Sequence, residues 1–177
     1  MTSSRPAAVT FKGNPMTLAG AALAVGQKAP DFTLHYFKDG LKTLTMADLK
    51  GKPTLISVVP SLDTGVCAIQ TTKFNEQVGE LGDSINALTV SLDLPFAQNR
   101  FCGDAKITNM KTASDYQNRE FGKKWGLLIE ELKLLARAVF VLDANGTIVS
   151  AEVVPEATHE PDYSKAMAAL KGLLAHA

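Results

Sequence analysis

The stretch Thr54–Phe74, TLISVVPSLDTGVCAIQTTKF, carries the reading of the fold. Its first part, Thr54–Val59, is a continuous apolar run rich in β-branched residues. A strand covered on both faces requires such a run. Pro60 to Gly65 then reads as loop. From Val66 the apolar positions take helical spacing: Cys67, Phe74, Val78 and Leu81 differ by 7, 4 and 3. Gly82 is the expected stop of that helix. Ile85–Ser91, INALTVS, is the next strand. A strand–helix–strand unit of this kind implies parallel pairing and a right-handed crossover.

Working outward, Val9–Leu18 (VTFKGNPMTL) reads as a hairpin around Gly-Asn-Pro, and Asp31–Phe37 as a strand. Thr45–Lys52 reads as one helical turn stopped at Gly51. Pro95–Gly103 (PFAQNRFCG) is a short helix, with Pro95 in its first turn and Gly103 after its end. Asp115–Gly126 is read as a further helix. Ala136–Val154 is two strands around Asn145-Gly146, the strongest hairpin signal in the chain. The last helix runs from about Tyr163 to Leu174, with Tyr163, Met167, Leu170 and Leu174 on one face. The expected architecture is α/β: a central mixed sheet with helices on its faces. The domain is expected over 9–177, with residues 1–8 a loose, flexible start.

Composition restricts the function classes. The 177 residues suit one domain, and 46% hydrophobic with 20% charged residues supports an ordinary core. Lys+Arg and Asp+Glu both number 18, so net charge is zero. That argues against broad electrostatic binding to nucleic acid or an anionic membrane. There is no apolar run of the length that spans a bilayer. Leu18–Gly26 (LAGAALAVG) is apolar enough to suggest a signal-peptide core. Its weakly basic flank and the lack of a clear cleavage site favour strand and loop instead, so a cytoplasmic location is expected. In that compartment two cysteines are inert core thiols or a redox pair, not a permanent staple.

Cys67 falls in the first turn of a helix that follows a buried strand, where α/β folds bind ligands. The helix start offers free N–H groups and partial positive charge, which favour a thiolate. A free thiol is only about 3% ionised at neutral pH, and making it about 90% thiolate requires roughly 3.4 kcal/mol of preference for the anion. A helix terminus supplies about 0.3–1 kcal/mol, or ~2 in favourable burial. A hydrogen bond to a charged group adds roughly 1.5–3 kcal/mol. The helix start alone falls short, so the site should contain a cation. Thr64 sits at a plausible N-cap position; its hydroxyl can cap the helix or serve the sulfur. Taken alone, Pro60 reads as a loop former. Arg137 lies in an apolar run, LLARAVFVL, and must reach a partner or an edge. From periodicity alone a strand-end arginine, solvated or paired to a carboxylate, is the ordinary reading. Cys102 taken alone is an ordinary core thiol. Its place near a helix C-terminus discourages a thiolate.

In combination, Pro60, Thr64 and Cys67 give PxxxTxxC between a strand and a helix, which resembles the peroxidatic motif of peroxiredoxins. PSLDTGVC, DLPFAQNRFCG, ARAVFVLD and EPDYSKAMAAL, in that order, resemble the bacterial thiol peroxidases, the atypical two-cysteine branch. The resemblance runs from about Val9 to the C-terminal helix. It implies a thioredoxin-like fold with an N-terminal β-hairpin. It also implies that Cys67 attacks a hydroperoxide and becomes a sulfenic acid. Thr64 would hydrogen-bond thiolate and peroxide, Pro60 would shield the site, and Arg137 would be the cation. Cys102 would be the resolving cysteine, forming an intramolecular Cys67–Cys102 disulfide that thioredoxin reopens. A homodimer is likewise implied.

No cofactor is expected. His35, His159 and His176 make no metal pattern with the cysteines, and no Gly-rich phosphate loop follows a strand. Trp125 and the phenylalanines read as core or interface. Two other functions use the same residues: a non-enzymatic peroxide sensor built on the cysteine pair, and a cysteine hydrolase pairing Cys67 with His35 or His159.

Overall fold

A computed structural model describes residues 3–176. The chain opens with β1 (Ser4–Phe11) and β2 (Asn14–Ala19), paired antiparallel with Phe11 opposite Asn14. The turn is Lys12-Gly13, both at positive φ, rather than Gly-Asn-Pro. Two left-handed residues give the turn the twist that antiparallel strands prefer. Pro15 sits inside β2, opposite Thr10. The hairpin is also longer than its alternation suggests. A bulge between Arg5 and Val9 breaks the period, and Ala7 takes positive φ there. Beyond β2, Leu18–Gly26 is strand end and loop. Gly20 has φ +90°, and a Cβ there would collide with the Lys123 carbonyl.

β3 (Thr33–Phe37) turns through Gly40 into β4 (Leu41–Thr45), which sequence alternation does not reveal. A single 3₁₀ turn, Met46–Leu49, follows, with the Thr45 N–H donating to Asp48 Oδ2 at 2.8 Å. Then comes the unit that organises the molecule: β5 (Thr54–Val58), α1 (Gly65–Gly79) and β6 (Asn86–Ser91). β5 is buried throughout and pairs parallel with β6, as the sequence requires. α1 stops at Gly79, short of Gly82. Asn109 packs close over Gly79 and donates to the Asn75 carbonyl at 3.0 Å. Gly82 instead begins a 3₁₀ turn, Gly82–Ser84.

α2 (Pro95–Asp104) leads to β7 (Lys111–Ser114), parallel to β6. The helix expected over 115–126 is only α3 (Glu120–Lys124). Asp115 is the reason. Its carboxylate accepts the N–H groups of Phe121 (3.1 Å) and Gly122 (2.8 Å), folding residues 115–119 into a turn before the helix. β8 (Leu128–Ile129) and β9 (Leu134–Leu135) extend the N-terminal hairpin into a four-stranded antiparallel sheet. β10 (Ala138–Leu142) and β11 (Ile148–Val153) form the Asn145-Gly146 hairpin, and α4 (Tyr163–Ala175) closes the chain.

The central sheet has seven strands in the order β11-β10-β5-β6-β7-β3-β4, mixed as expected. Alternation along β5 divides the core. Ile56 and Val58 join Phe32, Phe121, Trp125 and Phe140 on one face. Leu55 joins Phe74 and Val78 of α1 and Met167 and Leu170 of α4 on the other. The first face is covered by the small sheet and α3, where the sequence suggested helices on both sides. Among the described residues, no helix is long and apolar enough to cross a membrane.

Candidate active site

Cys67 lies in the first turn of α1, at the carboxyl end of β5, and is fully buried against Val59 and Leu62. Pro60, which follows Val59 in the chain, is also buried. Thr64 occupies the N-cap position, but its side chain caps nothing. Its hydroxyl lies 2.6 Å from Cys67 Sγ and 3.0 Å from the Ser61 carbonyl. With one proton, it donates to one of them at a time. Thr64 is exposed, so the sulfur lies one side chain below the surface.

Arg137 stands just before β10 and is only 2% exposed. Neither ordinary reading of it holds: it does not reach solvent, and among the described residues it makes no ion pair. Nη2 donates to Cys67 Sγ at 3.4 Å. Nη1 donates to Gln70 Oε1 at 2.9 Å, while Nε and Nη2 donate to the Ala157 carbonyl at 2.9 and 2.8 Å. Burying a cation among neutral acceptors is costly unless an anion shares the site. Among the described residues, the Cys67 thiol is the only ionisable hydrogen-bond partner of Arg137.

Three further residues shape the site without having been read from the sequence. Gln70, one turn after Cys67, is fully buried and donates to Ser57 Oγ at 2.8 Å while accepting from Arg137. Its signal was a polar residue at i+3 on the buried face of a helix. The Ala157 carbonyl belongs to the backbone and has no sequence signal. Asp93 follows β6 and accepts from Ser61 Oγ (2.7 Å), the Leu62 N–H (2.8 Å) and Ser91 Oγ (2.7 Å). It ties the Pro60–Thr64 loop to the neighbouring parallel strand.

Cys102 lies in the last turns of α2, half-buried. Its sulfur is 3.4 Å from Thr112 Oγ1 in β7. Burial pushes this thiol above its ordinary range, partly offset by the Thr112 hydroxyl. Its neighbour Phe101 packs onto the Cys67 cluster. Both cysteines are free thiols. No His, Cys, Asp and Glu grouping suited to a metal occurs among the described residues. Neither His35 nor His159 hydrogen-bonds Cys67; its side-chain partners are Thr64 and Arg137. Trp125 is core, its Nε1 donating to the Pro30 carbonyl at 3.2 Å.

The redoxin family model matches residues 24–170. The chain belongs to the redoxin family. The thiol peroxidase of Halalkalibacterium halodurans is 55% identical over 95% of this chain and 99% of that one. The thiol peroxidase of Bacillus subtilis is 52% identical with the same coverage. A crystal structure of a peroxiredoxin-like protein from Aquifex aeolicus is 41% identical, covers 96% of this chain and 99% of its own, and superposes with a TM-score of 0.87. This redoxin is therefore a thiol-dependent peroxidase of the thiol peroxidase branch, with a thioredoxin-like fold.

Proposed function

We propose that the chain reduces hydroperoxides through Cys67, with Cys102 as the resolving thiol and a thioredoxin-type dithiol as the reductant. The observation that carries this reading is the buried Arg137 guanidinium on Cys67 Sγ. It supplies the cation that the energetics of a thiolate demand, and the Thr64 hydroxyl adds a second donor.

In the first step Cys67 thiolate attacks the terminal oxygen of ROOH. An S–O bond forms and the O–O bond breaks, leaving Cys67 sulfenic acid and an alkoxide that takes up a proton to become the alcohol. The Thr64 hydroxyl can donate to the departing or bound oxygen, and Arg137 offsets the charge developing across the O–O bond. Pro60 keeps bulk water off the sulfur. In the second step Cys102 sulfur attacks Cys67 sulfur and hydroxide leaves, protonated to water. In the third, a dithiol exchanges with the Cys67–Cys102 disulfide, restoring both thiols and becoming oxidised itself.

The second step needs movement. Cys102 is held on Thr112 and its thiol is disfavoured as an anion by burial. Opening α2 releases that hydrogen bond and exposes the thiol, so a single event both frees Cys102 and favours its ionisation. A homodimer belongs to the same reading. Ile69, Leu94 and Phe96 are 45%, 52% and 54% exposed near the two cysteine-bearing helices, and large exposed apolar residues suit a self-association surface. Free thiols that must cycle suit a reducing compartment, hence the cytoplasm.

The test is oxidation of reduced thioredoxin by hydrogen peroxide with catalytic amounts of the chain. Many turnovers per protein molecule support the reading. A single stoichiometric oxidation followed by no further consumption would replace it with the peroxide-sensor function.

A further inference from the structure

The Ala157 carbonyl takes two of the four hydrogen bonds made by Arg137, yet Ala157 lies in neither helix nor strand. It sits in the segment joining β11 to α4, a place where backbone is ordinarily free to shift. Its position is fixed from outside. Thr10 of β1 brackets it: the Thr10 N–H donates to the Pro155 carbonyl at 2.7 Å, and the Ala157 N–H donates to the Thr10 carbonyl at 2.8 Å. These two bonds make a short parallel bridge between Thr10 and Glu156.

The Glu156 side chain completes the clamp. Oε1 accepts from Thr10 Oγ1 (3.0 Å) and from the N–H of Gly13 in the hairpin turn (2.7 Å). Oε2 accepts the N–H (2.7 Å) and hydroxyl (2.6 Å) of Thr158. Ala157 is therefore held on both sides, by Glu156 before it and by Thr158 after it, and both are tied to the hairpin through one carboxylate. These donors keep the Glu156 carboxyl well below its usual range, at about 2, with the Thr158 hydroxyl the largest influence. The clamp stays ionised across physiological pH.

We propose that the β1–β2 hairpin positions the reaction centre: Thr10 and Glu156 fix the Ala157 carbonyl that aims the Arg137 guanidinium at Cys67. Thr10 and Glu156 are positioning residues, acting through Arg137, and the inference rests on the reading of Arg137 as the activating cation. A guanidinium is a planar fork, so a shifted acceptor rotates the whole group. Transition-state contacts are sensitive to displacements on the order of 1 Å. The hairpin thus does more than cover the sheet.

The experiment uses the Cys102→Ser chain, in which Cys67 reacts once. Its second-order rate with hydrogen peroxide is followed by rapid quench and mass spectrometry of the trapped sulfenic acid. Glu156→Ala is expected to slow the reaction about five- to tenfold and Thr10→Val about threefold, by analogy with other small misplacements of catalytic groups. Thr10→Ser, which keeps the hydroxyl, should restore the parent rate. Asn14→Ala, in the hairpin but outside the clamp, should leave it unchanged. In the two-cysteine chain, reduction of the disulfide by dithiothreitol should proceed at the parent rate in Glu156→Ala. If Glu156→Ala does not fold, Thr10→Val, which loses only a side-chain bond, carries the comparison. Should both half-reactions slow together, the effect is general damage and the proposal fails. Parent rates in Glu156→Ala and Thr10→Val, beside a slow Arg137→Met, overturn the hairpin's role and leave that of Arg137 intact. A parent rate in Arg137→Met removes the reading of Arg137 and this inference with it.

Discussion

Arg137 Nη2 lies 3.4 Å from Cys67 Sγ, and the two side chains meet where both are almost wholly buried. In the proposed reaction Cys67 acts as an anion beside this cation, and neither charge is comfortable alone. A buried guanidinium among neutral acceptors and a buried thiolate each carry a desolvation penalty that the other reduces. The pair also explains why an arginine stands in an apolar run next to β10. The strand begins opposite the end of β5, with Ala138 paired to Val58, and that register delivers the residue before Ala138 to the α1 start.

The first expectation concerns the roles of the two thiols. Cys67→Ser should abolish turnover, because an alcohol is not ionised at neutral pH and forms no sulfenic acid. Cys102→Ser should consume one equivalent of peroxide and then stop cycling with thioredoxin. Steady-state assays with a single-turnover burst measurement separate the two. Comparable steady-state rates in both variants would show that the assignment is wrong.

Arg137→Met should remain folded and slow peroxide attack by about 10- to 100-fold, the value of a hydrogen bond to a charged group. Gln70→Leu should slow it less, about three- to tenfold, because Arg137 stays but loses the acceptor on Nη1. The two substitutions act on one network, so in the Arg137→Met background Gln70→Leu should add little further loss. Additive effects in the double variant would mean that Gln70 acts independently of the guanidinium.

The sequence made Cys67, Thr64 and Arg137 legible for different reasons. Cys67 stood out through strand–helix context, Arg137 through charge in an apolar run, and all three through an ordered family resemblance. Gln70 and Asp93 were missed because one amide or carboxylate in a polar-tolerant position looks like surface until its partners are seen. Ala157 acts through its carbonyl, which any residue supplies. The fold shows the same division. β5, α1 and β6 have periods long enough to read. β7 is KTAS, with no apolar period, and β8 and β9 have two residues each, below the length at which alternation exists. The helix expected over 115–126 shrank because Asp115 uses its side chain on two backbone N–H groups, a choice that composition does not reveal.

Asp115 gives a pH expectation. Burial pushes its carboxyl up to about 6, against the N–H donations of Gly122 and Phe121, and the nearby Glu120 adds to the rise. In the unfolded chain the group titrates near ~3.9. Between those values the folded state holds a proton that the unfolded state has lost. Stability from this group is therefore complete below about pH 4, falls as pH rises towards about 6, and is level above that. The loss is at most about 3 kcal/mol. Asp115→Asn should remove that slope from the pH dependence of urea unfolding. Parallel slopes in the two proteins would contradict the expectation.

The last expectation concerns motion between the two redox states. A disulfide needs the sulfur atoms about 2.05 Å apart and Cα atoms about 4.4–6.8 Å apart. In the dithiol state Cys67 is held by Thr64 and Arg137, while Cys102 is held on Thr112. The segments bearing them are also connected. Gln98 of α2 donates to Ser91 Oγ (3.0 Å), Ser91 donates to Asp93, and Asp93 holds Ser61 and Leu62 before Cys67. Unwinding α2 removes Gln98 from this chain and loosens the loop at its far end, so the two segments should open as one unit. Amides of residues 61–68 and 95–104 should therefore exchange faster in the disulfide form, and with the same opening rate. Asp93→Asn weakens the connection by replacing one acceptor oxygen with a donor. It should speed disulfide formation after a peroxide pulse while lowering the fraction of Cys67 driven on to sulfinic acid. Equal protection in both redox states would leave the cysteines resolving within the folded frame. Faster exchange in one segment alone would break the proposed link through Asp93.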